Sequence, residues 1–365
     1  MALSPQYSWP EPDNSSLVKN GAQDIRALGD AIDTSVWNVG FGQAAKNKFI
    51  NGDFSINQRN FTSTTTGLAF GFDRWQLSIG ASTTGTTTMS TQAFTAGSAP
   101  VAGYEAANYL RLVTIGQTTP DTLSLFRQAI EDVRTLAGRT VTISFWAKAA
   151  TGTPKISASV AQRFGSGGSP SASVEAPVGA VTISTSWTRY SLTYAVPSIS
   201  GKTVGTTANT SDTRIQFFVS AGSDNAVNAS SIGIQSNTFD IWGVQVEYGS
   251  KATPFQTASG GSPEAELAMC QRYYYQIGFD TTTVNILVRQ FNNGSSAGSV
   301  TIPIPHPVVM RATPTLVSWG DIGDAANKAF DTVISQYARG GCAIMSSVGA
   351  GAYVDMNYVS ASAEL

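Results

Sequence analysis

The sequence is poor in charged residues, in histidine and in cysteine. Its 365 residues include 22 lysines and arginines, 24 aspartates and glutamates, one histidine and two cysteines. The charged fraction of 13% is about half of that in an ordinary soluble domain. With a net charge of −2, the chain lacks the basic excess by which proteins bind nucleic acids or anionic membrane surfaces. We therefore expect neither kind of partner.

The scarcity of histidine limits the catalytic chemistry that the chain can perform. His306 is the only histidine, and it lies between Pro305 and Pro307. This excludes a two-histidine metal centre and disfavours a Ser-His-Asp triad. Glu131 and Asp132 are adjacent, and adjacent strand residues point to opposite faces, so they do not form a paired-carboxylate site. We predict that the chain is not an enzyme; a glycosidase built from carboxylates distant in sequence is the alternative.

The chain also lacks long apolar runs. No stretch approaches the roughly 18 consecutive apolar residues of a membrane helix, and the first residues lack the basic start and apolar run of a secretory signal. We expect no membrane insertion, and assembly in a reducing cytoplasm that keeps Cys270 and Cys342 as free thiols. A disulfide between them is the alternative, because sequence alone does not decide pairing.

The first of three segments, residues 1–46, combines a proline-rich arm with a predicted helix from about Ser16 to Trp37. The apolar residues of this helix form one narrow stripe: Val18, Ile25, Leu28 and Ile32. We expect the stripe to lie at an oligomer axis or against a neighbouring protein, so that the segment serves attachment or oligomerisation. Packing of the helix on the chain's own β-domain is the alternative.

The rest of the chain is rich in threonine, serine and its 35 glycines, and it alternates between apolar and polar residues in short stretches. Segment 47–258 contains the clearest of these: Thr140–Phe145, Tyr190–Val196 and Trp242–Val246. Gly-, Ser- and Thr-rich loops between them predict a jelly roll or β-sandwich. Segment 259–365 predicts a second small β-sandwich, after a linker-like stretch at Thr257–Pro263. The predicted fold class is all-β.

Several motifs resemble parts of known protein families, in the same order along the chain. Phe49–Arg59 and Phe72–Trp75 resemble the opening of many phage tail and fibre proteins, and Trp9–Thr34 is similar to the arm of minor tail proteins from phages of actinobacteria. The stretches similar to carbohydrate-binding modules of families 4 and 9 are Leu125–Glu131, Leu136–Lys148, Ser186–Ser191 and Phe239–Gly249. The stretches similar to the join between such a module and a C-terminal domain are Ala252–Phe255, Glu266–Tyr274 and Met310–Thr315. The resemblance implies a tail-fibre or minor tail protein with a carbohydrate-binding-type jelly roll.

Side-chain alternation selects the candidate sugar-binding residues. One face of a predicted strand carries Val141, Ile143 and Phe145. Trp146 therefore points to the other face, and the same argument places Trp187 and Phe218 away from the core but Trp75 and Trp242 in it. Because flat rings suit the apolar faces of sugars, Trp146, Trp187 and Phe218 are predicted to line a carbohydrate-binding groove. The alternative is that a loop, a helix or another subunit covers this second face.

The resemblance also implies a structural calcium ion, because modules of families 4 and 9 often hold one near the two ends of the module. Asp53 and Asp240 match those positions, and carboxylate oxygens suit calcium. We expect no required cofactor.

These features predict a structural and adhesion component of a phage tail, located in the virion and assembled in the host cytoplasm. The expected partners are other tail proteins and host cell-surface polysaccharide. We expect a homotrimer, because weakly charged sheets associate readily and at least one of Tyr273, Tyr274 and Tyr275 is expected to face away from its own core. The alternatives are a secreted bacterial carbohydrate-binding module and a cell-wall polysaccharide depolymerase.

Overall fold

The computed structural model consists mainly of β-strands, and it describes residues 2–3, 10–11, 20–40, 46–278, 288–291, 298–321, 335–337, 340–348 and 353–365. Its helices are α1 (Gly21–Gly40) and α2 (Pro263–Gln271). Its first strands are β1 (Ala2–Leu3) and β2 (Pro10–Glu11). The central strands are β3 (Ser63–Thr64), β4 (Gln76–Ile79), β5 (Thr86–Ala93), β6 (Asn108–Ile115), β7 (Leu123–Glu131), β8 (Thr140–Ala149), β9 (Lys155–Arg163), β10 (Val174–Thr182), β11 (Thr188–Ala195), β12 (Asp212–Ala221) and β13 (Asn237–Tyr248). The later strands are β14 (Tyr274–Gly278), β15 (Val288–Phe291), β16 (Gly298–Pro305), β17 (Thr315–Asp321), β18 (Ser335–Tyr337), β19 (Gly340–Val348) and β20 (Tyr353–Ser362).

The N-terminal helix predicted from the apolar stripe is present as α1, which begins at Gly21 rather than near Ser16. Ile25 is 66% exposed, whereas Leu28 and Ile32 are half-buried. Val18 lies outside the described residues. Among the parts of the chain that the structure describes, no helix is long and apolar enough to span a membrane. The stripe therefore leaves Ile25 open to solvent in the single chain.

Two antiparallel sheets pack face to face in the central part of the chain. The first has six strands in the order β11-β8-β13-β6-β5-β3, and the second has five in the order β10-β9-β12-β7-β4. Phe126 and Phe217 are cross-strand neighbours in the five-stranded sheet, and their rings stack with centroids 4.7 Å apart. Phe145 reaches Phe217 from the other sheet at 5.6 Å. The all-β class and the sandwich predicted from alternation are confirmed.

Aromatic rings fill one end of the core between the sheets. Trp75 is fully buried, as predicted, and its ring centroid lies 5.1 Å from that of Phe49, 5.5 Å from that of Phe54 and 5.7 Å from that of Phe126. Its indole nitrogen donates a hydrogen bond to the carbonyl oxygen of Asn51 at 2.8 Å. Burial of each such ring contributes roughly 2–3 kcal/mol, so these residues anchor the fold.

The chain enters and leaves the sandwich at the same end, where Asn47 joins the two passages. Its amide group donates to the carbonyl oxygens of Val244 at 3.0 Å and Gln256 at 3.1 Å. Its side-chain oxygen accepts from the backbone N–H groups of Phe49 and Val246, each at 3.0 Å. Asn47 is only 2% exposed, and a buried amide with several partners holds its surroundings in one arrangement. The segments before β3 and after β13 are therefore fastened together.

The stretch Thr257–Pro263 is an ordered turn, which corrects the linker expected from its composition. The hydroxyl of Thr257 accepts from the N–H of Gly261 at 2.9 Å, and Glu266 accepts from the N–H of Ser259 at 2.9 Å. Ser262 caps α2 by accepting from the N–H of Ala265, which satisfies one of the free donors of the first helical turn. The turn therefore places α2 firmly against the sandwich.

The strands after α2 form two further sheets in the described part of segment 259–365. In one sheet β20 pairs with β14 and β15 along one edge and with β17 along the other, and the second sheet has the order β16-β19-β18. Cys270 on α2 is a fully buried free thiol, and burial raises the pKa of its thiol well above its usual value. The side chain of Cys342 lies outside the described part of the structure. The domain limits 1–46, 47–258 and 259–365 remain predictions.

Candidate functional site

The three candidate aromatic residues lie on the outer faces of two different sheets. Trp146 on β8 and Trp187, which directly precedes β11, lie on the outer face of the six-stranded sheet. Phe218 on β12 lies on the outer face of the five-stranded sheet, where it packs in a separate apolar cluster. The structure therefore does not bring the three rings into one groove, and the two tryptophans define the candidate site.

Aromatic rings cover the outer surface of β11, β8, β13 and β6, which we call the aromatic face. The rings are Phe94, Tyr104, Tyr109, Trp146, Trp187, Trp242 and Phe255. Trp242 is fully buried beneath the others, whereas Trp146 and Trp187 are half-buried. The loops that carry Phe94, Tyr104 and Phe255 thus close over part of the face, and part of it remains open near the two tryptophans.

The position of Trp242 corrects the prediction that it shares the core face with Val244 and Val246. Trp242 is the direct cross-strand neighbour of Trp146, so the two side chains lie on the same, outer face. The register shifts just after Trp242, and Gly243 adopts a left-handed conformation with φ of 61°. Such a bulge adds one residue to the strand and reverses the alternation beyond it, so Val244 and Val246 return to the core.

Gly243 also allows the Trp146 ring to lie against the backbone of β13. A β-carbon at position 243 would lie only 2.8 Å from Cε3 of Trp146, which is closer than van der Waals contact permits. The guanidinium group of Arg189 lies 4.6 Å from the centroid of the Trp146 ring and donates to the hydroxyl of Ser144 at 3.1 Å. Trp146 is therefore held by neighbours from both adjacent strands.

Trp187, like Trp146, is a half-buried ring of the aromatic face. Its ring centroid lies 5.6 Å from that of Phe94 and 5.4 Å from that of Tyr109. The ammonium group of Lys148 lies 5.3 Å from the same ring, within the range of a cation–π interaction. A fixed, half-exposed ring beside polar groups is the arrangement by which proteins bind amphipathic ligands such as sugars.

One carboxylate and two cations lie beside Trp187 on the aromatic face. Asp240 accepts from Nε of Arg111 at 2.6 Å and from Nη2 at 2.9 Å, whereas Nζ of Lys148 lies 3.6 Å away. The side chain of Asp240 is 5% exposed, and those of Arg111 and Lys148 are 31% and 32% exposed. The hydrogen bond to Asp240 raises the pKa of Arg111, and burial raises the pKa of the neighbouring Tyr109 hydroxyl. Arg111 thus remains charged at any physiological pH.

Phe218 is buried, which corrects its expected place in an open groove. It is 2% exposed and packs with Leu125, Ala229 and Ile232. The covering loop is tied down by Asn225, whose amide donates to the carbonyl oxygen of Thr122 at 3.0 Å. Alternation correctly separated Phe218 from the core between the sheets, and the alternative of a covering loop applies to this face.

A row of polar side chains crosses the five-stranded sheet, and we call it the polar row. Its members are Gln76, Arg127, Gln216, Ser159 and Glu175. Arg127 donates to Gln76 at 2.9 Å, and Glu175 accepts from Gln216 at 2.6 Å and from Ser159 at 2.8 Å. Burial, with a smaller contribution from Arg163, lowers the pKa of Arg127. Because these side chains hydrogen-bond to one another, they use much of their own capacity to bind a ligand. We therefore rank the polar row behind the aromatic face as a candidate surface.

The residues expected to hold calcium do not fit that ion. Asp240 faces the cations Arg111 and Lys148, which would repel a metal. Asp53 accepts from the hydroxyls of Tyr104 at 2.8 Å and Ser55 at 2.9 Å, one on each carboxylate oxygen. In the described residues, no three His, Cys, Asp or Glu side chains come together as a metal-binding group. Ion pairing and hydrogen bonding account for both carboxylates, so we derive no role for calcium.

A buried polar junction joins the sandwich to the C-terminal residues, and we call this junction the seam. The alternation of apolar and polar residues did not predict it. Arg74 lies over the ring of Tyr273, 3.4 Å from its centroid, and donates to Glu364. Arg59 lies 3.6 Å from the centroid of Tyr274 and pairs with Glu364 at 3.2 Å. Because the two arginines belong to the motifs that resemble phage tail proteins, these motifs build the seam.

The seam also corrects the expectation of an exposed tyrosine patch. Tyr273, Tyr274 and Tyr275 are 4%, 5% and 3% exposed. The first two lie beneath the arginines of the seam, and the third packs 5.8 Å from the ring of His306. Arg59, Arg74 and His306 of the same chain therefore supply the cover that we expected from a second subunit.

Two further arginines extend the seam. Arg272 makes a bidentate ion pair with Glu131, with both contacts at 2.9 Å. Arg311 donates to the carbonyl oxygen of Ala363 at 2.8 Å and also to that of Asn209, whose amide returns a hydrogen bond to Arg311 O at 2.7 Å. Bidentate arginine contacts fix orientation as well as distance, so the end of the chain is held against the sandwich at several points.

Residues 113–213 match the model of a family described as carbohydrate binding domain, CBM_4_9. The matched range contains Trp146, Lys148 and Trp187 and covers a minority of the chain. No curated protein sequence matches the chain.

Several solved structures are similar to the chain at low identity. The enzymatically active domain of tailspike protein 4 from bacteriophage CBA120 is 20% identical, with 56% of this chain and 21% of that chain covered and a TM-score of 0.31. The CBM22-2 xylan-binding domain of Paenibacillus barcinonensis Xyn10C is 16% identical over 48% and 92% of the two chains, with a TM-score of 0.30. A putative sugar binding protein from Bacteroides thetaiotaomicron is 14% identical over 56% and 100%, with a TM-score of 0.34. At these scores, the likenesses assign no function to the chain.

Proposed function

We propose that the chain is a carbohydrate-binding structural component of a bacteriophage tail, a fibre or minor tail protein that holds host surface polysaccharide on its aromatic face. The observation that carries the binding site is the half-exposed ring of Trp187 beside Lys148, Asp240 and Arg111. The family match over residues 113–213 supports carbohydrate as the ligand. In this site the ring packs against the apolar face of a sugar while the charged groups fix its hydroxyls.

The place in a tail is supported by the motifs that resemble phage tail and fibre proteins, Phe49–Arg59 and Phe72–Trp75. Their residues Arg59 and Arg74 fasten the C-terminal end of the chain to the sandwich. The proposed location is therefore the virion tail, with other tail proteins as partners of segment 1–46.

Trp187→Ala tests the binding site. We expect at least about fivefold weaker binding of the full chain to isolated bacterial wall polysaccharide, since stacking of one ring contributes roughly 1 kcal/mol or more. The melting temperature should fall far less than for a fully buried ring, whose removal costs roughly 3–5 kcal/mol. Tyr248→Ala is the matched control, because Tyr248 is 46% exposed and lies outside the aromatic face. Binding is measured on a glycan array and by sedimentation with the polysaccharide.

Arg127→Ala distinguishes the two candidate surfaces. If this variant loses binding while Trp187→Ala retains it, the polar row binds the glycan and the aromatic face does not. Release of reducing ends from the polysaccharide would instead favour the depolymerase alternative. Failure of the wild-type chain to bind any glycan on the array would contradict the proposed function itself.

A further inference from the structure

The charges on the aromatic face are unbalanced. Arg111 and Lys148 share a single carboxylate, that of Asp240. One negative charge between two positive charges leaves an excess of one positive charge beside the open edge of Trp187. The chain as a whole carries a net charge of −2, so this local excess is opposite in sign to the rest of the molecule.

Arg111 and Lys148 each keep hydrogen-bond donors that their contacts with Asp240 do not use. Arg111 uses Nε and Nη2 for the carboxylate, and the same Nη2 reaches the hydroxyl of Tyr109 at 3.3 Å. Nζ of Lys148 is 3.6 Å from Asp240, which is longer than an ordinary hydrogen bond. Both side chains are about one-third exposed, so each reaches solvent beside its contact with Asp240.

Arg189 adds a third cation to the same face, next to Trp146. The acidic residue that acts on its charge is Glu247, which is 3% exposed. Glu247 already accepts from the side chains of Gln245 at 2.6 Å and Thr253 at 2.6 Å. With Arg189 and Glu247 included, three cations face two carboxylates, so the excess stays at one positive charge.

We infer that the aromatic face selects an acidic polysaccharide, with a uronic acid carboxylate held by Lys148 and Arg111 and the adjoining sugar ring packed against Trp187. Cations interleaved with aromatic rings match a polymer that alternates carboxylates with apolar sugar faces. A neutral glycan would use the ring and leave the excess charge without a partner. This inference rests on the proposed function and names the substrate class of the same site.

The test compares two probes that differ only in charge. One is an oligogalacturonate of defined length, and the other is the same oligomer with its carboxyl groups reduced to alcohols. Isothermal titration with the full chain should give several-fold tighter binding of the acidic oligomer. This preference should shrink as salt is raised from low to physiological concentration and above, because exposed charges are screened.

Lys148→Gln is the informative variant, with Lys155→Gln as its control. Glutamine keeps an amphipathic side chain but removes the charge, so affinity for the acidic oligomer should fall by about fivefold, the size of a partly exposed ion pair. Affinity for the reduced oligomer should fall less, because glutamine can still donate a hydrogen bond to a sugar hydroxyl. Lys155 is an exposed lysine on β9 of the other sheet, so its substitution removes an equal charge elsewhere and should leave both affinities unchanged.

The outcomes separate the inference from the function on which it rests. Equal binding of the two oligomers, or an equal loss for both in Lys148→Gln, would overturn acidic selectivity while leaving carbohydrate binding intact. If Lys155→Gln weakens binding of the acidic oligomer as much as Lys148→Gln does, the effect comes from the net charge of the chain. That result would also overturn the inference. If neither oligomer binds and a glycan array shows neutral glycans alone, the inference fails. Binding of no glycan would remove the proposed function as well.

Discussion

Asp73 shows how burial changes the chemistry of a single residue in the seam. Its carboxylate is fully buried and accepts from Gln58 at 2.6 Å and from Arg59 at 3.0 Å. Burial raises the pKa of Asp73 from 3.8 to about 6, although Arg59 opposes the shift. In the unfolded chain the carboxyl group returns to its ordinary pKa, so the folded form binds the proton more tightly.

Asp73→Asn should flatten the pH dependence of stability. A raised folded pKa contributes stability that is complete below about pH 4 and is lost as pH rises through about 6. Relative to Asp73→Asn, the wild-type chain should therefore lose up to about 3 kcal/mol of unfolding free energy between these pH values. Urea denaturation at several pH values measures the difference. A constant difference across this range would show that Asp73 keeps an ordinary pKa.

The candidate site was partly accessible to residue-by-residue reasoning. Alternation from Val141 to Phe145 correctly sends Trp146 to the outer face, and Lys148, two residues further, lies on that face by the same rule. Arg111 joins them only because β6 and β8 both pair with β13, and strand order is not visible in a local pattern. The resemblance implied that Asp240 is a calcium ligand. Only the pairing of strands shows that Asp240 instead binds cationic side chains.

At the scale of elements, the bulge in β13 determines which rings form the aromatic face. Gly243 has positive φ and lies against Trp146. If β13 lacked the bulge, Trp242 would share a face with Val244, and the aromatic face would lose its buried centre. The bulge is thus a requirement of the site rather than of the sandwich.

Gly243→Ala should destabilise the fold and weaken glycan binding together. The new β-carbon meets Trp146 at 2.8 Å and the backbone has φ of 61°, so we expect a cost of about 2–4 kcal/mol. Gly97→Ala is the control, because Gly97 has φ of 76° with no atom near the added carbon, and it should cost only about 1–2 kcal/mol. Thermal melts and glycan affinity give the comparison. Equal costs for the two variants would mean that Trp146 does not press on this glycine.

Element positions were easier to predict than the surfaces that they form. The alternation in β8 and β11 predicted their core faces because both strands are regular. It failed at Trp242, where a bulge shifts the register, and it did not show the loop that buries Phe218. The linker-like composition of Thr257–Pro263 was also misleading. Glu266 accepts from Ser259 in this turn and from the distant Asn51, and composition alone does not show such partners.

At the scale of the whole molecule, the association state remains a prediction. The described tyrosines of the seam are buried within one chain, so they do not support an interface. Ile25 on α1 is 66% exposed, and it belongs to the apolar stripe expected at an oligomer axis. Low charge over the sheets favours association further.

The full chain should be a trimer whose stability depends on α1. Light scattering at micromolar concentration should give three times the chain mass of 38.3 kDa. Ile25→Asp should lower that mass, because a charge at a buried apolar contact is costly. Val227→Asp is the control, since Val227 is 76% exposed on a loop and its substitution should change nothing. A single-chain mass for the wild type would refute association, and a dimer would refute the threefold arrangement.

The fastening of the sandwich at Asn47 has a mechanical consequence. Asn47 ties the incoming chain to Val244 in β13 and to Gln256 after it, so a pull between the segments before and after the sandwich acts on these bonds and on β13 together. Because β13 lies between β8 and β6 in the six-stranded sheet, the load enters that sheet through an inner strand, where ladder hydrogen bonds on both sides share it. Since β13 also carries Trp242 and Gly243, tension along an extended assembly would act on the strand beneath the aromatic face.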